Sequence, residues 1–400
     1  MLRLALKSLS YRRGSVGLTL VAIALALVMV VLGGRLSEGV KNGLYSGSRG
    51  VDLVVARSAG DVQIVMQALY QIGPGGAGMG PDDQALVAAL DDIAWVVPVA
   101  LGDSHRGLPV VATTPAYLER VADANGQPIA FAAGHWADEW TAVVLGARAA
   151  KQLGYALGHS VTLSHGSGTG LERGHEQVLT VSGILAPTGT PLDNRVLVSL
   201  EADRLLNADP ITGAVAEQGP VTALLVGAKR KVGVFRIQRD LERLTDGRLR
   251  AVIPGAALTQ LWQLVGVVQA ATQVLSGLML GFAALTLVTL ALMNWRQRRR
   301  ECAVLRAMGS PFGFAVGAHV VEGIIVAAAS IALAVVATAV GFEWISAWVL
   351  DEYGLLIAPA GGVAEWLVYG AATLLAVAAT VLPLLISWRG AIASGLTETQ

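Results

Sequence analysis

The sequence predicts an α-helical integral membrane protein with four transmembrane helices and a large mixed α+β extracytoplasmic domain inserted between helices 1 and 2. Three observations carry that reading. Hydrophobicity collects in four runs, Val16–Gly34, Leu264–Asn294, Phe312–Gly341 and Trp366–Leu385, each long enough to cross roughly 30 Å of hydrocarbon as a helix. The stretch between the first two runs has ordinary globular composition and is large enough for its own core. Charge then sorts by side. Arg3, Lys7, Arg12 and Arg13 precede the first run, a cluster from Arg296 to Arg306 divides the second from the third, and Arg389 follows the fourth, whereas the third-to-fourth connection holds Glu343, Asp351, Glu352 and Glu365. By the positive-inside rule both termini and the arginine loop are cytoplasmic, and the insert lies outside.

Composition supports the same class, since 54% of the 400 residues are hydrophobic and only 14% charged, unlike an ordinary soluble protein. The 29 basic residues balance 29 acidic ones, so no global field points to nucleic acid. The single cysteine, Cys302, falls on the cytosolic side, so the exported insert must hold together by packing without a disulfide.

In chain order, residues 1–13 form a cytoplasmic amphipathic lead-in, apolar side chains alternating with basic ones as suits a helix at the interface. Helix 1 occupies 14–35. It reads as an uncleaved anchor, because the run is long for a signal peptide and Gly33-Gly34-Arg35 lacks a small-x-small cleavage site. Leu36, Val40 and Leu44 continue the helical spacing as a stalk until Ser46-Gly-Ser-Arg-Gly50 breaks it. The extracytoplasmic domain spans 36–262. Its expected strands are Val51–Ala56, Trp95–Ala100, Val110–Thr113, Val161–Ser164, Val178–Leu185, Arg195–Ser199, Val221–Val226 and Leu249–Ile253, with helices over Val62–Tyr70, Ala147–Leu153 and Val232–Leu244. The glycine-rich stretch Gly73–Pro81 reads as a flexible turn.

From Gly255, Leu258, Leu261, Trp262 and Val265 recur at helical spacing as the returning stalk and lead into helix 2, residues 263–294. Within it Gly277-Leu-Met-Leu-Gly281 is a GxxxG that permits close helix approach. A cytoplasmic loop over 295–311 leads to helix 3 at 312–341, an outer loop at 342–364, helix 4 at 365–387 and a cytoplasmic tail at 388–400. Helix 3 carries His319 and Glu322 one turn apart; ionisable groups within a span are usually functional, but both sit close enough to the cytosolic edge to reach water or the arginine cluster by snorkelling.

Catalytic signals are weak. There is no G-x-x-x-x-G-K-[ST] phosphate loop and no G-x-S-x-G nucleophile elbow, so the chain is expected to be neither an ATPase nor a serine hydrolase, and to carry no cofactor. His159, His165 and His175, with Glu172 and Glu176, could ligate zinc, and His165 and His175 are the weak metal candidates. Their spacing fits no compact structural site, and a solvated hairpin with incidental histidines accounts for them as well.

The most informative stretch is Arg296-Gln-Arg-Arg-Arg-Glu-Cys-Ala-Val-Leu-Arg-Ala-Met-Gly309. At about 2.5–3.5 kcal/mol per arginine near the bilayer centre it cannot lie within a span. Its residues are good helix formers, Gly309 can cap the end, and Ser310-Pro311 can restart the next helix. Cys302, Leu305 and Met308 make a short apolar edge with Arg299 and Arg306 nearer the other side. On residues alone a docking helix and a loop that merely fixes topology stand side by side.

This stretch, followed by an apolar helix carrying Glu322, resembles the "RE-x-A-hydrophobic-LRA-L/M-GA" segment of the FtsX/MacB-type ABC transporter permeases. Cys302 replaces the usual Ile or Phe, and Ser310 the usual Ala. The basic amphipathic start of the chain is similar to that family's first helix. Val144-Leu-Gly146, Lys151-Gln-Leu-Gly154, Leu157-Gly158 and Val181-Ser-Gly-Ile-Leu185 resemble, in order, its periplasmic core-domain phrase. The resemblance implies a multi-pass protein of the cell inner membrane that couples to a cytosolic ABC ATPase subunit, which alone uses ATP, through Arg298, Arg299, Glu301, Leu305, Arg306 and Met308. It implies a homodimer or paired permease in membrane lipid, a helix contact at Glu322 beside those the GxxxG permits at Gly277 and Gly281, and a role in moving or extracting a substrate. An FtsX-like signalling or scaffold role toward a periplasmic protein is the alternative.

Overall fold

The computed structural model describes residues 10, 13–73, 76–165, 174–207, 219–293, 312–353, 356–357, 365–374, 376–378 and 381. The chain divides into two compact units, one comprising Met1–Glu38, Gly266–Ile345 and Pro359–Gln400, the other Gly39–Val265 and Ser346–Ala358.

The second unit is mixed α+β, as expected. It comprises α1 (Arg13–Ser46, its last turns), β1 (Leu53–Arg57), α2 (Asp61–Tyr70), α3 (Pro81–Ala88), β2 (Ile93–His105), β3 (Leu108–Thr113), α4 (Ala116–Arg120), β4 (Phe131–Gly134), β5 (Ala142–Leu145), α5 (Ala147–Leu153), β6 (Ser160–His165), β7 (Gly174–Leu185), β8 (Val196–Ser199), α6 (Leu200–Leu206), β9 (Ala223–Ala228), α7 (Val234–Leu244), β10 (Leu249–Val252) and the start of α8 (Pro254–Met293). Strand β2 organises the sheet. Its first half closes an antiparallel array in the order β10-β1-β9-β2, while its second half pairs with β3, across a register shift between Leu101 and Ser104, and with β6. From there the ladder runs β2-β3-β8-β5-β7-β6 and returns to β2, a ring of six strands with no open edge. The pairs β3/β8 and β5/β7 are parallel, which long crossovers through helices permit.

Strand alternation explains how two cores form from one sheet. Leu53 and Val55 face one core while Val54 and Ala56 face the other, and the same split separates Val143 and Leu145 from Val144, and Val196 and Val198 from Leu197. One core fills the ring and continues beneath Val234, Ile237 and Leu241 of α7; the other lies under Ile64, Val65, Ala68 and Leu69 of α2. Because both faces are covered, these strands are continuous runs of Val and Leu, each buried side chain contributing about 1.5–3 kcal/mol.

The stretch Gly73–Pro81 departs from the flexible turn that its glycines suggest. Met79 is fully buried and forms a bridge with Val221, its N–H donating to the Val221 carbonyl at 2.7 Å and its carbonyl accepting from the Val221 N–H at 3.1 Å. The expectation followed composition alone, whereas one apolar side chain anchors this loop to the core.

The first unit contains the apolar helices. Val16–Ser46 and Val320–Glu352 are long and apolar enough to cross a membrane, with mean hydropathies of 2.8 and 2.5, and Glu365–Ala378 is a shorter apolar helix. Helix α9 (Phe312–Tyr353) runs past Gly341, so the first part of the expected outer loop 342–364 is helical. Phe342, Trp344, Ile345 and Trp348 offer nothing that breaks a helix there. α1 buries Thr19, Ile23, Leu27 and Val31, and α9 buries Glu322, Val326, Ser330, Ala334, Thr338 and Phe342. Both stripes step by four, the ridge that interlocks neighbouring helices. Ile23, Ala24, Leu27 and Val31 share one cluster with Val326, Ala327 and Ala334 and with Tyr369, Ala372 and Ala376.

Candidate functional site: where the long helices root in the extramembrane unit

The residues singled out by sequence are distributed unevenly. Arg298, Arg299, Glu301, Leu305, Arg306 and Met308 lie outside the described residues, as do the side chains of His165 and His175. Glu322 lies within the buried stripe of α9, 5% exposed. Gly277 and Gly281 are exposed on α8, and a Cβ at either would meet nothing within 4 Å. Arg35 of α1 clasps Glu365 with two parallel hydrogen bonds of 2.8 Å, from Nε and Nη2, a bidentate pairing that the sequence reading missed because the partners are separated by most of the chain. Among the described residues no group of three or more His, Cys, Asp or Glu side chains could share an ion. His159 instead accepts from the Ala156 N–H at 3.3 Å and meets the Tyr155 ring edge-on.

A second constellation that sequence reasoning missed lies in the extramembrane unit. Chain 188–195 forms a tight polar knot whose turn, Pro191–Asn194, is a short 3-10 helix. Asp193, 2% exposed, accepts from the Thr188 N–H and hydroxyl, each at 2.8 Å, and from the Gly189 N–H at 2.9 Å. Burial raises its carboxyl above the usual range, while those donors and Arg148 oppose the shift. Next to it, Arg195 donates from Nε to Gln71 Oε1 at 2.8 Å, from Nη2 to the Tyr70 carbonyl at 2.9 Å and from Nη1 to the Asn194 carbonyl at 3.2 Å. Burial lowers its guanidinium to about 10, which leaves it charged at neutral pH.

The knot is where the ends of the long helices are held. The Tyr70 hydroxyl donates to the Leu44 carbonyl in the last turn of α1, and burial pushes that phenol above its ordinary value. At the other long helix, Asp351 of α9 pairs with Arg148, and the Leu356 N–H donates to the Gly189 carbonyl at 3.2 Å. α8 is rooted by Ala257 and Leu258, 2% and 1% exposed, and by Thr259 Oγ1, 2.9 Å from the Tyr45 hydroxyl. The ends of α1 and α9 are therefore tied to the knot, and α8 is joined to α1 beside it.

Two glycines of the sequence phrase make that piece possible. A Cβ on Gly146 would lie 2.3 Å from the Leu192 carbonyl oxygen and 2.4 Å from that of Asp193, so the 3-10 turn can cross the start of α5 only over glycine. On β7, a Cβ on Gly183 would lie 2.3 Å from the His135 carbonyl oxygen and 2.8 Å from the Phe131 ring.

The sequence matches the MacB-like periplasmic core domain over residues 16–244 and the FtsX-like permease C-terminal domain over residues 273–395. No curated protein matches it. Among solved structures, the periplasmic region of MacB from Actinobacillus actinomycetemcomitans is 12% identical, with 54% of this chain and 95% of that one covered and a TM-score of 0.34. The extracellular domain of the ABC-type transporter YknZ from Gram-positive bacteria is 13% identical, with 50% and 98% covered and a TM-score of 0.31. The chain belongs to the MacB/FtsX-like ABC permeases, which join a MacB-like periplasmic core domain to an FtsX-like C-terminal segment.

Proposed function

We propose that this chain is the permease subunit of an ABC transporter in the cell inner membrane, crossing it four times with both termini in the cytoplasm. Two copies pair, and each docks one cytosolic ATPase subunit on the helix that ends at Gly309. The ATP is bound and hydrolysed by that partner, and the permease converts the closure of the ATPases into movement of the extracytoplasmic unit, which moves or extracts the substrate.

The observation that supports this reading best is the tying of the ends of α1 and α9 to one polar knot, with α8 joined to α1 at Tyr45. A displacement of α1 reaches Arg195 through the Leu44–Tyr70–Arg195 hydrogen bonds, and one of α9 reaches Gly189 through Leu356 and α5 through the Asp351–Arg148 ion pair, and from there β8 and β5 of the strand ring. Packed structure of this kind transmits force with little loss because it is close-packed and stiff.

The deciding experiment is Leu305→Asp in the full-length chain. An unpaired charge on the apolar edge of the docking helix weakens the contact with the ATPase by several kcal/mol, about 3 or more. Membrane insertion is preserved, because the arginines that set topology remain. Co-purification of the ATPase and its stimulated turnover should both collapse; a full complement of ATPase with normal turnover would reduce the segment to a topogenic loop.

A further inference from the structure

The extramembrane unit holds a cavity of about 570 Å³, bordered by the root of α1 at Val40 and Leu44 and by the root of α9 at Val349, Asp351 and Glu352. Its size is that of a small-molecule site. Floor and mouth differ in chemistry.

The floor is polar and buried. Arg195 and Asn194 line it, 9% and 5% exposed. Three of the five guanidinium N–H groups of Arg195 are used by Gln71, Tyr70 and Asn194, which leaves two N–H donors without a protein acceptor. Among the described residues no carboxylate pairs with Arg195. A buried cation with spare donors beneath an open cavity is an unusual combination, because buried charges are normally paired.

The mouth adds a second cation and an apolar wall. Arg106 stands at the β2–β3 turn, its guanidinium 5.8 Å over the Tyr155 ring. Asp351 is occupied by Arg148, so Glu352 is the remaining carboxylate that opposes Arg106 and Arg195 among the charged groups lining the cavity. Leu44, Ile72, Leu108 and Val349 supply apolar surface, Ile72 being 54% exposed at the rim.

We infer that the cavity binds an anionic amphiphile, its phosphate or carboxylate head held by Arg195 and Arg106 and its apolar chain lying along Leu44, Ile72 and Val349. The head satisfies the spare donors of Arg195 in a forked, charge-assisted contact. The apolar wall makes head and tail together bind better than either alone. Because α1 and α9 both contribute walls, the occupied cavity also ties two helix roots together.

The test uses the full-length chain in nanodiscs of neutral lipid with radiolabelled decyl phosphate, and with inorganic phosphate and decanol as competitors. Decyl phosphate should bind saturably, and neither competitor should displace it at equal concentration. Arg106→Gln, at an exposed position that leaves the fold intact, should weaken binding about tenfold, the loss of one charged hydrogen bond. Val349→Glu, which sets a carboxylate in the apolar wall, should weaken it at least as much. Arg195→Gln should abolish it, and the other two variants remain decisive if that one fails to fold. Equal binding by the parent, Arg106→Gln and Val349→Glu would overturn the inference. Displacement by inorganic phosphate as effectively as by unlabelled decyl phosphate would also overturn it, by showing a plain anion site.

Discussion

Replacing Gly146 by alanine tests the idea that a close backbone crossing holds the polar knot in place. The added Cβ would sit 2.3 Å from the Leu192 oxygen, 2.4 Å from the Asp193 oxygen and 2.6 Å from the Asp193 carbonyl carbon, whereas real contacts stay beyond 3.0 Å. The 3-10 turn must therefore retreat by at least 0.7 Å, and because all three atoms belong to backbone, no side-chain rotation relieves the clash. That retreat strains the Gly146 N–H bond to the Arg195 carbonyl, 2.9 Å, and the bonds that satisfy buried Asp193. Overpacking of this kind costs about 3 kcal/mol or more when it also loosens buried hydrogen bonds. For a domain of this size that lowers the melting temperature by about 6–12 °C. The assay is thermal unfolding of the full-length chain followed by tryptophan fluorescence, with Gly102→Ala as control, since a Cβ there meets nothing within 4 Å. If Gly146→Ala melts within about 1 °C of that control, the crossing is not rigid and the mechanical reading of the knot loses its basis.

Three other outcomes follow from the same structure. Burial holds the His105 imidazole below its ordinary value, against the pull of the Thr162 carbonyl and with the help of Arg106. The unfolded chain therefore binds that proton first, so stability is complete above the ordinary histidine range and falls as pH drops through it, by at most about 1.4 kcal/mol per pH unit for one group. Unfolding at neutral and mildly acidic pH should show this slope in the parent and a shallower one in His105→Gln; identical slopes would exclude His105 as its source. Reporters fused near Gly126 and Tyr353 should respond as exported and those after Gly309 and at Gln400 as cytosolic, and a cytosolic signal at Gly126 would overturn the four-span scheme. Calorimetry with zinc should show no binding of about micromolar strength, and binding that disappears in His165→Ala with His175→Ala would instead establish a metal site.

Much of the architecture is legible in local patterns, because local forces decide it. The runs of β-branched residues at Val51–Ala56, Val178–Leu185 and Val221–Val226 fall on strands β1, β7 and β9, and the spacing over Ala147–Leu153 and Val232–Leu244 falls on α5 and α7. The helical repeat at Leu36, Val40 and Leu44 ends where α1 ends, at Ser46, before a Gly-Ser breaker. Strands β4 and β5 and helices α3, α4 and α6 are not among the elements read from the sequence, and their form comes from neighbours in the sheet and core.

The sequence by itself determined which segments are apolar enough for a membrane, which stretch is a globular insert, and which short phrases tie the chain to its family, since hydropathy, breakers and motifs are properties of adjacent residues. The tertiary structure alone decided that β2 serves two arrays, that Arg35 reaches Glu365, and that Gly146 leaves room for a turn more than forty residues further on. It also decided that Tyr70, backed by Arg195, and Gly189 hold chain at the ends of helices distant in sequence. Each of these depends on packing between residues far apart in the chain. Burial and hydrogen-bond satisfaction act on such neighbours only once the fold has brought them together.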